Sequence, residues 1–208
     1  MFKIKALLLF TGMIALISCK QVEVTTEVTR LEPQVFFAIG EVTINGQPAK
    51  IGQKINNGDI VETGAQSYLE AKFQKQSAFR IREDSRVVFN IDKMITLSVE
   101  KGKVLNILEK RSQYLVRTPS AVAAVRGTIF FVSVIDDNKT YYCACNGTIA
   151  IENDQHNLLT TLTSSHHKPN YCEHQGDSLS MADAEMLDHD DIEIFELMYR
   201  MDQANLKQ

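Results

Sequence analysis

The chain carries no surplus of positive charge: 22 lysines and arginines stand against 26 aspartates and glutamates, a formal net charge of -4 over 208 residues. Basic residues interleaved with aromatics form no patch, so nucleic acid is not expected as a partner. There is no Gly-x-Ser-x-Gly elbow, no phosphate-binding glycine loop and no His-Glu-x-x-His pair. These absences remove the serine hydrolase, nucleotide-binding and metalloprotease readings. Asp84, Asp136, Asp137 and the acidic C-terminal stretch are scattered among turn and surface patterns. No Cys-x-x-Cys opens a helical pattern, which argues against an ordinary thiol oxidoreductase. The expectation is a protein that binds, not an enzyme.

A long membrane span is also missing. The apolar stretch from Ala6 to Ile17 is too short to cross a bilayer comfortably. It follows Lys3 and Lys5 and ends in Leu16-Ile17-Ser18-Cys19, which resembles a bacterial lipobox. The resemblance implies cleavage before Cys19, a diacylglycerol on its sulfur and an acyl chain on its amine. Several chains anchor stably, because each buried methylene adds roughly 0.8 kcal/mol. Residues 1–18 are therefore expected to be a lipoprotein signal peptide and 19–34 a lipidated tether. Lys20 stands where many inner-membrane-retained lipoproteins have Asp, which favours the outer membrane. The expected location is the bacterial cell envelope, facing the periplasm or the surface. Loss of Lys3 and Lys5 leaves 20 basic residues against 26 acidic ones, a charge of -6.

What is present is mostly strand pattern. Val35–Ile44, Ile60–Thr63, Ser67–Phe73, Ala78–Ile81, Val87–Ile91, Ile95–Val99, Val104–Leu108, Gln113–Arg117, Thr128–Ile135, Thr140–Cys145, Thr148–Ile151 and Leu158–Leu162 all read as strands. Leu69, Ala71 and Phe73 alternate with Tyr68, Glu70 and Lys72, the period of a half-buried strand. Asn45-Gly46, Asn57-Gly58 and Asn146-Gly147 are hairpin signals, since Asn and Gly tolerate positive φ. An all-β domain follows, with sandwich, barrel and solenoid left open by periodicity. Near the C-terminus Asp190 reads as a helix N-cap with Glu193 as its capping-box partner. Ile194, Leu197, Met198 and Met201 then share one face, expected to pack on the β-domain.

The run Thr118-Pro119-Ser120-Ala121-Val122-Ala123-Ala124-Val125-Arg126-Gly127-Thr128 resembles the signature stretch of the FecR family. Gly58-Asp59-Ile60-Val61-Glu62-Thr63-Gly64 and Gly102-Lys103-Val104 match earlier parts of the same pattern. The resemblance covers roughly Phe36 to Ile151 and implies a β-solenoid-like or sandwich-like domain, here assigned to 35–163. Gly58, Asp59, Pro119, Arg126, Gly127 and Thr128 read as fold determinants. Gly58 supplies a turn's positive φ and Asp59 accepts backbone N–H bonds there. Pro119 holds Thr118 extended, Gly127 allows close backbone approach, and the Arg126 fork is suited to bridging buried carbonyls. Family members acting as anti-sigma factors carry a helical cytoplasmic segment and a membrane-spanning helix. Neither pattern occurs here, so sigma-factor control is not expected. Gln74-Lys75-Gln76-Ser77 also replaces a turn that is usually Asp-Gly.

Residues 164–208 are expected to form a Cys/His-containing loop and the C-terminal helix. Cys143 and Cys145 sit two apart in a strand pattern, so both thiols project from one face. His166-His167, Cys172, His174 and His189 follow. Thiolates and imidazoles in a set of four suit zinc or copper, although no standard zinc spacing is present. The family resemblance implies Cys143, Cys145, one of His166 or His167, and His189 as ligands. The alternative is a disulfide of Cys172 with Cys143 or Cys145, since an oxidising envelope favours bridges. The leading functional expectation is a lipid-anchored sensory or binding module that docks an envelope protein through an exposed strand edge. A metal-binding lipoprotein holding zinc, copper or haem iron, and a periplasmic thiol-redox protein, are the alternatives.

Overall fold

The structure is a computed structural model and describes residues 32–110, 112, 114–175 and 178–206. The expected signal peptide, Cys19 and most of the tether lie outside the described residues. Among the described residues no helix is long and apolar enough to cross a membrane.

The strands are β1 (Gln34–Ile39), β2 (Val42–Ile44), β3 (Gln47–Pro48), β4 (Ile60–Thr63), β5 (Tyr68–Lys72), β6 (Ala78–Ile81), β7 (Arg86–Ile91) and β8 (Ile95–Ile107). They continue as β9 (Tyr114–Arg117), β10 (Val122–Val125), β11 (Ile129–Asp136), β12 (Lys139–Glu152), β13 (Leu158–Ser164), β14 (Lys168–Gln175) and β15 (Ser178–Asp183), before helix α1 (Asp191–Leu206). One sheet runs β1-β5-β6-β8-β11-β12-β14-β15. The other runs β3-β2-β4-β7-β8-β9-β10-β12-β13, antiparallel except where β8 meets β9. β8 and β12 belong to both sheets, crossing between them at Gly102 (φ +90) and Gly147 (φ +115).

The two sheets face each other. Leu69, Phe79, Val104, Phe130 and Tyr142 of the first meet Val61, Phe89, Leu97, Val116 and Ile149 of the second in one core. Ring centroids of Phe79 and Phe89 lie 5.4 Å apart, and those of Tyr114 and Phe130 lie 6.3 Å apart, across the interface. Burial of each such side chain contributes about 1.5–3 kcal/mol. The architecture is a sandwich rather than a solenoid, with α1 as a third layer. Ile194, Leu197 and Met201 seat the helix on Ala78, Leu105, Ile107 and Phe131 of the first sheet's outer face. Met198, expected on that face, is 37% exposed at its edge.

Several sequence expectations change at the joins. Asn146-Gly147 is no hairpin, because β12 passes straight through it; the segments read on either side are one strand. Ile95–Val99 and Val104–Leu108 likewise fuse into β8. β10 was not legible, since Val-Ala-Ala-Val offers no polar alternation. Nor were β14 and β15, which are polar and turn the expected loop after residue 164 into two more strands. Asp190 does cap α1, its Oδ1 accepting the Glu193 N–H at 2.9 Å. The Glu193 carboxylate turns to Arg80 and Arg82 instead of closing a box.

The signature residues hold these joins. Thr118 donates its N–H to Ala121 O at 2.9 Å in the turn that contains Pro119. Thr128 Oγ1 donates to Thr148 O (2.9 Å) and accepts the Thr148 N–H (3.1 Å), clasping β12 where it changes sheet. Asp59 accepts the Asn56 N–H at 2.7 Å beside Gly58. Arg126 departs from expectation: it is exposed and bridges no buried carbonyl. Strand alternation puts it on the outward side with Ala124, away from the core.

Candidate metal centre

Cys143 and Cys145 alternate with Tyr142 and Ala144 along β12, so the thiols leave the core and face α1. Phe131 and Tyr141 flank them on the same outer face. The turn between β13 and β14 then returns His167 to this place, its N–H donating to Cys145 O at 3.0 Å. His189 arrives from residues 184–190, the strap that links β15 to α1, and stacks on Phe131 with centroids 4.2 Å apart. His167 (φ +46) and Asp188 (φ +51) both occupy the left-handed region. Non-glycine residues adopt it at a cost, and it recurs where side chains are aimed at a site.

The donor atoms of Cys143, Cys145, His167 and His189 all lie within 4.8 Å of one another. Sγ of Cys143 stands 3.7 Å from Nδ1 of His167. Tetrahedral zinc with ordinary Zn–S and Zn–N bonds places such a pair about 3.6 Å apart. Each imidazole is held from behind. His189 Nδ1 donates to Leu187 O, and His167 Nε2 donates to Asp191 Oδ1 at 3.1 Å. Those bonds free Nε2 of His189 and Nδ1 of His167 for the centre, the usual outer support of a metal-ligating histidine. His189 Nε2 is buried with no hydrogen-bond partner. An orphaned buried acceptor costs about 1–3 kcal/mol, and an ion between the four donors would relieve it.

The thiols differ in charge. Cys145 donates to Cys143, and this bond, against the cost of burial, holds the Cys143 thiol well below its ordinary range. The same hydrogen bond, with burial, pushes Cys145 far above the ordinary thiol range. One proton shared by two thiols is half of the way to a dithiolate metal site.

Other expected members fall outside. His166 is 72% exposed in its side chain, and its Nε2 contacts Asp191 Oδ2 at 2.9 Å rather than joining the four. His174 lies further along β14, with its N–H on Asn138 O. Cys172 corrects the disulfide expectation. It points into the inter-sheet core while Cys143 and Cys145 point the other way, and all three thiols are free. A sheet separates them, because β12 and β14 pair with Cys172 opposite the core-facing Thr140. Burial raises the Cys172 thiol to about 11, so it is inert. Asp191, which steers both histidines of the turn, was read only as surface charge.

Residues 59–150 match the family model described as FecR protein. The chain carries a FecR domain. FecR domains are commonly sensory or signalling modules, which suggests a protein-interacting role. No curated protein matches this chain. The FecR domain contains Cys143 and Cys145 but ends before His167 and His189. Half of the centre thus belongs to the FecR domain and half to the strands and strap that follow it.

Proposed function

We propose that this chain is a non-catalytic, lipid-anchored sensory module of the bacterial envelope whose FecR domain carries a zinc centre. The ligands are Sγ of Cys143 and Cys145, Nδ1 of His167 and Nε2 of His189. The observation that carries this reading is the buried, partnerless His189 Nε2 among three further soft donors. Four protein ligands complete a tetrahedron and leave no open position for a substrate, as in structural zinc sites. Donors this close enclose a single ion and leave no room for a haem. The lipid anchor rests on the Leu16-Ile17-Ser18-Cys19 pattern alone.

Metal content by mass spectrometry, with thiol titration on the same sample, tests the centre. The purified chain should hold near-stoichiometric zinc, with Cys143 and Cys145 titrating only after chelation. Cys143→Ser should lose the metal. Equal zinc in that variant would remove Cys143 from the site, and no metal in either protein would end the reading.

Signalling by docking is supported by β15, which among the described strands pairs only with β14. Its outer backbone groups can accept an extended segment of a partner. A photo-crosslinker at Ser180 should trap one defined protein in cells, whereas a spread of unrelated neighbours would count against docking there.

A further inference from the structure

The strap, residues 184–190, has little of its own to hold it. His189 is its one buried residue, and Glu185, Met186, Asp188 and Asp190 are exposed. Its attachments are the Leu187 N–H on Tyr141 Oη (3.2 Å), the Tyr141 hydroxyl on the Met186 sulfur, and Asp188 with Lys103 and Arg82. The His189 ring also lies against Phe131 and Tyr141, and the half-buried Ala184 and Leu187 sit on the same outer cluster. Helix α1 then buries only Ile194, Leu197 and Met201. Its later turns have further ties in Arg200 to Glu70 and Asn205 to Lys75 O. The first turn is joined to the strap by the Asp190 cap, to the β13–β14 turn by Asp191, whose carboxylate grips His167, and to the sheet by Glu193 with Arg80 and Arg82. That turn also carries Ile192, 75% exposed, and Phe195, 65% exposed, on its outward side.

The four donors come from three separate stretches: β12, the β13–β14 turn and the strap. We infer that metal occupancy latches the strap and the first turn of α1 to the sheet, so the centre reports its metal by how this segment is presented. The inference rests on the zinc reading above. Opening the strap withdraws His189 Nε2 and so breaks a metal bond, whereas without metal the same movement only frees an orphaned imidazole. Segments with few buried contacts open locally, far more often than the whole domain unfolds. A ligand that loses a bond on opening suppresses that opening by at most a factor of 1 + [L]/Kd, about 100-fold at a hundred times Kd, and by less where the other three donors still hold it. The outward apolar side of the first turn would then be held in one position when metal is present and released when it is not.

Amide hydrogen exchange on the intact folded chain tests this, with zinc alone as the ligand and a chelator as the contrast. The amides of Leu187, Glu193 and Ile194 should exchange more slowly with zinc at a hundred times its measured Kd, by up to about 100-fold. His189→Phe retains the stack on Phe131 but cannot ligate. In that variant, with zinc at a hundred times its own Kd on the remaining three donors, these amides should show no zinc dependence. Stoichiometric zinc with unchanged strap exchange in the natural chain would overturn the latch while leaving the metal site standing. Zinc-dependent protection persisting in His189→Phe would overturn it too. Failure of the natural chain to bind zinc would take down both readings.

Discussion

Arg80→Met is expected to destabilise the folded chain by about 3–5 kcal/mol, the usual result of breaking a buried ion pair on one side. Arg80 is 5% exposed and lies directly opposite Glu70, which is fully buried. Glu70 Oε1 accepts from Arg80 Nε at 2.8 Å and from Arg200 Nη1 at 2.8 Å, while Oε2 has no partner. Arg80 also ties Glu193 and Glu196 of α1 to the sheet, at 3.2 and 3.1 Å. Burial already holds the Glu70 carboxyl above its ordinary value despite both guanidiniums. Without Arg80 the buried carboxylate under the helix keeps only the Arg200 guanidinium as a partner. Urea denaturation should show the midpoint falling with little change in slope. The pH dependence has a definite sign. A carboxyl whose folded pKa is raised binds its proton more tightly in the folded state, so its contribution is most favourable below the unfolded value of 4.5 and is lost as pH rises through the folded value. The deficit of Arg80→Met should therefore shrink on acidification. The double variant Glu70→Gln with Arg80→Met should recover most of the loss. A deficit that ignores both pH and the second substitution would show that lost packing, not the stranded charge, dominates.

Gly127→Ala should cost about 2–5 kcal/mol, adding roughly 1–2 kcal/mol for a left-handed alanine to about 1–3 kcal/mol for a forced backbone shift. Gly127 has φ +63, and a Cβ there would lie 2.5 Å from Lys110 Cα and 3.0 Å from Glu109 O. Both are backbone atoms, so no side-chain rotation relieves the overlap. The residue precedes Thr128, whose hydroxyl clasps β12 where it leaves one sheet for the other. For a domain of this size the melting temperature should drop by about 5–15 °C. Gly46→Ala is the control: φ is +72 there, but nothing lies within 4 Å of the added carbon. It should lose only the conformational part. Equal losses at both positions would show that close approach is not why glycine stands in the Val-Arg-Gly-Thr stretch.

Local pattern carried much of the fold and part of the centre. β5 is not the half-buried strand expected, since Glu70 and Lys72 on its other face are covered by α1. Its period-2 alternation was readable because Leu69, Ala71 and, just past β5, Phe73 meet the core. Cys143 and Cys145 could be placed on one side of a strand for the same reason, and Asp190 was legible as a cap from its spacing to Glu193. β14 was not, since its residues sit beside β12 through backbone pairing that asks little of side chains. The Asn146-Gly147 signal misled because positive φ serves a change of sheet as well as it serves a hairpin.

By itself, then, the sequence determined an all-β chain, the FecR signature and a stock of thiols and imidazoles near the C-terminal end. Only tertiary structure decided which of those donors meet. Strand parity turned Cys172 into the core, away from Cys143 and Cys145. A left-handed turn brought His167 to the thiols and left His166 in solvent. The packing of α1 fixed where the strap delivers His189. The reason is range: alternation and capping act between residues a few positions apart, whereas the centre joins β12 to a strap more than forty residues later. Such contacts depend on how sheets and helix pack, which no local pattern encodes.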